Sequence, residues 1–150
     1  MRSTRPEQAA QVALLQSLRA RASTAKLADA IEASGKAEAH LDQCDAVLDE
    51  AEAAFEHMLS ADALDLDSWR IGGAELDRLA QLRDHAVEEA REQQEGEARE
   101  RDRSHREREL EKQATHLCRD ARRRAAAKRD DKAAMEAVSL ALALKAGEGE

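Results

Sequence analysis

Tyrosine is absent from this 150-residue sequence, and one Phe and one Trp are its only aromatic side chains. Without such side chains a thick globular core has little to fill it. There is one Pro, so the chain has almost nothing that forbids a helix. Cys44 and Cys118 are too few for a disulfide framework. No secretory apolar segment precedes them: Val12-Ala13-Leu14-Leu15 is cut short by Gln16 and followed by Arg19 and Arg21. No apolar run reaches the roughly 18 residues a membrane-spanning helix needs. The sequence reads as a cytoplasmic chain without membrane insertion.

Charged residues make up 37% and hydrophobic ones 42%, much of the latter alanine. This composition marks coiled coils and long helices. High charge also marks disorder, but scarce Pro and regular leucine spacing oppose that reading. The fold expected is all-α: two long helices in an antiparallel coiled-coil hairpin forming a single domain. Asp65 to Gly73 holds the only adjacent glycine pair, Gly72-Gly73, and the only tryptophan, Trp69, near mid-chain. Glycine costs about 1 kcal/mol in a helix, so the bend is predicted here. The expected elements are helix 1 over about 5–64, the bend over about 65–73 and helix 2 over about 74–146.

Thr4-Arg5-Pro6-Glu7 fits a capping box for helix 1. Leu14, Leu15, Leu18, Leu27 and Ile31 supply its first apolar positions. Leu41, Cys44, Leu48, Ala51, Phe55 and Met58 then alternate steps of three and four, the spacing of a coiled-coil seam. That register misses Ile31, which predicts a phase break near Ser34-Gly35. After the bend Leu76, Leu79, Ala86 and Ala90 continue the seam. Arg91 to Glu109 is almost wholly polar and is expected to be the softest part, held by pairs such as Glu95 with Arg99 and Glu97 with Arg101. Leu110, Ala114, Leu117 and Ala121 restore the seam, and Gly147-Glu148-Gly149-Glu150 is a frayed stop.

With the bend at Trp69-Arg70, facing residues have numbers summing to about 140. Phe55 and Leu59 then face the Leu82 region, Leu18 faces Arg122, and residues beyond about Ala134 have no partner. Met135, Val138, Leu140, Leu142 and Leu144 project as an uncovered apolar patch, a candidate binding surface. Beside it lies a basic cluster, Arg119, Arg122, Arg123, Arg124, Lys128 and Arg129. Charge is segregated: Glu38 to Asp102 has 20 acids against 6 Arg, Arg103 to Lys132 has 11 basic residues against 6 acids, and Met1 to Lys36 has 6 against 3. Folded at the bend, the chain is expected to be a rod with oppositely charged ends.

His40 and Cys44 share a helix face, and His57 lies across from His85 under the same rule. A zinc site needs four convergent ligands, and the two pairs fall about 20 Å apart along the helices, so no metal site is expected. Cys118 faces Ala22, too far from Cys44 for a disulfide. Carboxylates occur throughout, yet a two-helix structure offers no cleft to desolvate them, and no phosphate-binding glycine loop is present. The sequence therefore reads as non-enzymatic and without a cofactor. The arginine cluster suits phosphates, but the acidic total and the lack of stacking aromatics argue against nucleic acid and favour an acidic protein partner. A merely solvated helix face is the plainer alternative. Trp69 has two readings, a plug closing the seam at the bend or an exposed anchor for a partner.

These features, over the whole chain, resemble the small coiled-coil stalk proteins of type III secretion and flagellar export, the FliJ/YscO group. The resemblance rests on length, the charged mid-bent hairpin, the Arg/Glu/Gln-rich helix 2 and the stretch Arg129-Asp130-Asp131-Lys132-Ala133-Ala134-Met135-Glu136-Ala137. It implies a stalk in the centre of a secretion ATPase hexamer that links it to an export gate protein and escorts secretion chaperones. Two other readings stand beside it: a structural coiled-coil spacer or oligomerisation protein, and a salt-sensitive nucleic-acid binder.

Overall fold

The computed structural model describes residues 5–61, 63 and 65–147. The fold is all-α: among the described residues there are two helices, α1 (Pro6–Leu59) and α2 (Leu66–Gly147), and no strand. Pro6 opens α1 at a position where its missing N–H costs nothing. The Thr4 capping box and the Glu148-Gly149-Glu150 stop lie outside the described residues.

Helix α1 ends with a tightened last turn, in which the Ala61 N–H donates to the Met58 carbonyl and the Ser60 hydroxyl donates to that of His57. Helix α1 ends at Leu59 and α2 begins at Leu66, so the turn between them is not centred on Trp69. Asp65 starts α2: its carboxylate accepts from the Asp67 N–H at 3.2 Å and from the Ser68 hydroxyl at 2.8 Å. This is an N-cap, and it settles where α2 begins despite the glycines downstream. Gly72 and Gly73 lie inside α2, and no described glycine has positive φ. Gly72 is needed for close approach, since a Cβ there would stand 2.8 Å from Phe55 Cδ2. The pair 55 and 72 sums to 127, so the register is set 13 below the expected 140. Phe55 therefore meets Gly72 and not the Leu82 region.

The chain divides into two compact units, one of Ser23–Ser104 and one of Met1–Ala22 with His105–Glu150, called here the hairpin unit and the terminal unit. In the hairpin unit the α1 seam runs Ser23, Leu27, Ala30, Ser34, Ala37, Leu41, Cys44, Leu48, Ala51, Phe55, Met58, with unbroken steps of four and three and every member buried or half-buried. No phase break occurs at Ser34-Gly35. Ser34 is 2% exposed and Ile31 47%, so the seam passes through the serine and leaves the isoleucine outside. Its α2 counterpart steps from Gly72 through Leu76 and Leu79 to Ser104, with Arg83 as the one exposed member. The Arg83 guanidinium donates to Asp45 of α1 at 2.9 Å.

In the terminal unit Ala9, Ala13, Gln16 and Ala20 of α1 line up with Glu107, Glu111, Ala114, Cys118, Ala121 and Ala125 of α2. Leu14, Leu15 and Leu18 are exposed and do not belong to the seam, and neither do Leu110 and Leu117. Ala114 and Ala121 are in it as expected. The best-buried positions of these seams are small side chains, because Ala and Ser let two helix backbones approach closely. Burial then falls on Cβ atoms and backbone, and among the described residues no large side chain is fully buried.

The polar stretch Arg91 to Glu109 stays helical. In the hairpin unit it carries the expected pair Glu97–Arg101 and, in place of Glu95–Arg99, the contact Arg91–Glu95 at 3.8 Å. Gln94 also donates to Glu38 of α1 at 2.8 Å. Each exposed pair is worth a few tenths of a kcal/mol. Glu97 and Glu100 occupy seam positions here, held half-buried beside Arg101 and Arg103.

Candidate functional site

The terminal unit holds nearly all the residues expected to bind a partner. Burial on α2 stops at Ala125, and every described residue from 126 to 146 is exposed. The uncovered run therefore begins about eight residues before the expected position, because the turn lies nearer the N-terminus and α1 runs out at Pro6. Met135 is 71% exposed, and Val138 and Leu142 similarly so. These three follow at steps of three and four and form one stripe. Ala133, Ala137, Leu140 and Leu144 form a second at steps of four, three and four. From Ala133 to Leu144 only Glu136 and Ser139 are polar, so about 18 Å of helix is apolar on nearly every side.

The basic cluster precedes this run. Arg119, Arg122, Arg123, Arg124, Lys128 and Arg129 are all exposed. Among the described residues none of them forms an ion pair, while Arg129 donates to the Ala125 carbonyl of its own helix. Neighbouring charges behave otherwise: Lys112 bonds Glu109 at 2.7 Å and Lys132 approaches Glu136 at 3.6 Å. The hydrogen bond from Lys112, reinforced by its charge, holds the Glu109 carboxyl below the usual range.

A groove of about 290 Å³ adjoins the cluster, inside the same unit. Ala9 and Val12 of α1 and Ala114, Leu117 and Ala121 of α2 line it, with Arg5, Arg124 and Lys128 at its edge. Leu117, whose spacing predicts a seam position, lines this groove instead, as does Val12. The signal was present in the register: 12 and 117 both flank the small-residue seam on the same side.

Trp69 belongs to the hairpin unit, in the first turn of α2. It is 45% exposed and lines a shallow groove with Phe55, Arg70 and Leu76, so it both covers the seam end and presents indole surface to solvent. The Cys44 thiol lies 3.8 Å from His40 Nε2 on α1. With the register at 127 in the hairpin unit, His57 and His85 no longer face each other. Among the described residues no three His, Cys, Asp or Glu side chains are grouped to hold a metal ion. No described helix is long and apolar enough to cross a membrane. No protein-family model, curated protein or solved structure matches this chain.

Proposed function

We propose that this chain is a non-enzymatic stalk component of a type III secretion system, which binds a secretion ATPase hexamer through the free end of α2 and links it to the export gate protein. Escort of secretion chaperones is a further duty within this reading, and its place is the cytoplasmic side of the apparatus. The observation that supports it is the uncovered α2 run, apolar on nearly all sides from Ala133 to Leu144. A helix apolar all round is stable where surroundings enclose it, and a flat neighbour covers only one of its stripes. The centre of a ring of subunits encloses a helix. The unpaired basic cluster just before the run suits an acidic rim to such a ring.

Binding to the secretion ATPase encoded in the same genome tests the reading. Charge reversal at Arg122, Arg123 and Arg124 is expected to weaken association and its salt dependence, and Met135→Glu with Leu142→Glu to abolish association. Undiminished binding by both variants overturns the assignment of this surface, and a genome without a secretion ATPase overturns the function. For Trp69, a Trp69→Ala variant with undiminished export-gate binding removes it from that contact. A second reading, a structural coiled coil that assembles with copies of itself, is favoured by one observation: the Val12–Leu117 groove is open and apolar.

A further inference from the structure

We propose that the groove of the terminal unit is a docking site for the hairpin unit of a second copy of this chain. The groove lies before the apolar run of α2, although it takes Arg124 and Lys128 from the basic cluster, and the inference does not rest on the stalk reading. Its floor holds Val12, 49% exposed, and Leu117, 63% exposed. Its edge holds Arg5, Arg124 and Lys128, none of which forms an ion pair among the described residues. Asp120, the one acid in the lining, is within 3.2 Å of His116. An apolar floor between unpaired cations suits an apolar surface on a strongly acidic unit.

The hairpin unit has that chemistry. It carries 22 Asp and Glu against 9 Lys and Arg, a net charge of −13, while the terminal unit carries 15 basic residues against 10 acids, a net charge of +5. Six of the nine basic residues in the hairpin unit are already engaged with acids of that unit, at Lys36, Arg78, Arg83, Arg91, Arg101 and Arg103. Its excess carboxylates therefore have no counter-charge within it. The hairpin unit also has an apolar groove of about 240 Å³ containing Val47 and Leu82, both more than 40% exposed.

Val47 follows Val12 by 35 residues and Leu117 follows Leu82 by 35, five heptads in each helix, so all four flank their seams at the same heptad position. By sequence spacing Glu50 follows Val47 by three residues, and Glu75, which is bonded to Arg78, and Glu89 stand one heptad to either side of Leu82. A lane of apolar residues edged with bases thus meets a lane of the same spacing edged with acids. A contact between unlike surfaces of two copies closes into a dimer when a two-fold axis repeats it.

Sedimentation equilibrium of the full chain tests this. A concentration-dependent dimer is expected at low salt, with its dissociation constant raised about tenfold or more at high salt, as screening of opposite charges requires. Val12→Glu with Leu117→Glu should return a monomer of unchanged helicity, because both side chains are exposed. A chain with Arg5→Glu, Arg124→Glu and Lys128→Glu should fail to pair with itself, as should a chain with Glu50→Lys, Glu75→Lys and Glu89→Lys. Mixing the two reversed chains should restore a dimer, and this rescue cannot come from misfolding. A monomer at every concentration, or a dimer indifferent to Val12→Glu with Leu117→Glu, overturns the proposal. A dimer abolished only by Met135→Glu with Leu142→Glu overturns it too, since self-association would then lie on the end of α2.

Discussion

Gly72 lies against the ring of Phe55 so closely that a Cβ at position 72 would stand 2.8 Å from Phe55 Cδ2 and 3.0 Å from Cε2. Its neighbour Gly73 has nothing within 4 Å of the same position. Two adjacent glycines in one helix should therefore respond in opposite senses. Gly73→Ala is expected to stabilise by about 0.5–1 kcal/mol through helix propensity. Gly72→Val is expected to destabilise by about 1–3 kcal/mol, because the ring must shift in a packed layer. Urea unfolding followed by circular dichroism measures both, and a stabilising Gly72→Val would remove the close approach as the reason for that glycine.

The seam of the hairpin unit makes a similar contrast on α1. Ser34, buried, should tolerate enlargement poorly: Ser34→Leu is expected to cost about 1–3 kcal/mol by forcing the helices apart. Ile31, although larger and more apolar, should accept Ile31→Gln within about 0.5 kcal/mol because it lies outside the seam. If Ile31→Gln were the more damaging of the two, the seam would have to run where leucine and isoleucine spacing places it. Gly35→Ala belongs to the same test. Nothing surrounds a Cβ there, so it should stabilise by up to about 1 kcal/mol.

Asp65 is expected to give the turn a pH dependence. Its hydrogen bonds, first from the Ser68 hydroxyl and then from the Asp67 N–H, hold its carboxyl below the ordinary aspartate value. A group depressed on folding stabilises above its unfolded pKa, and this contribution is lost as pH falls through the depressed folded value. Glu75, bonded by Arg78, and Glu32, bonded by Lys36, act in the same direction. Asp65→Asn keeps a capping side chain without a titrating one, so its thermal midpoint should decline less than that of the parent chain at acid pH. Asp65→Ala should lower the midpoint at neutral pH. Parallel acid profiles for the parent and Asp65→Asn would exclude Asp65 as a source of the acid sensitivity.

The exposed end of α2 should be dispensable for folding. Deleting residues 131–150 removes no buried side chain among the described residues. The unfolding midpoint is expected to stay within about 0.5 kcal/mol of the full chain, the range of surface changes. A large loss of stability would mean that the run 131–147 packs against the rest of the chain.

Sequence alone determined the all-α class, the pair of long helices and the exposure of Met135, Val138 and Leu142. These follow from propensity, scarce proline and the shortage of large apolar side chains, all of which are local or compositional. The seam from Leu41 to Met58 was legible for the same reason, since its large apolar residues repeat at three and four. What only the tertiary structure decided was register. Asp65 capping α2 moved the turn ahead of Trp69, and Gly72 admitted Phe55, so the facing pairs shifted and α1 ended earlier against α2. Apart from Leu27, Leu76 and Leu79, the remaining seam runs mainly through alanine, serine and glutamate, which carry little hydrophobic signal. Their burial comes from how near two backbones can approach, a property of pairs of helices that neither helix states by itself. That close approach also left Val12 and Leu117 outside the seam, where they form the floor of the groove.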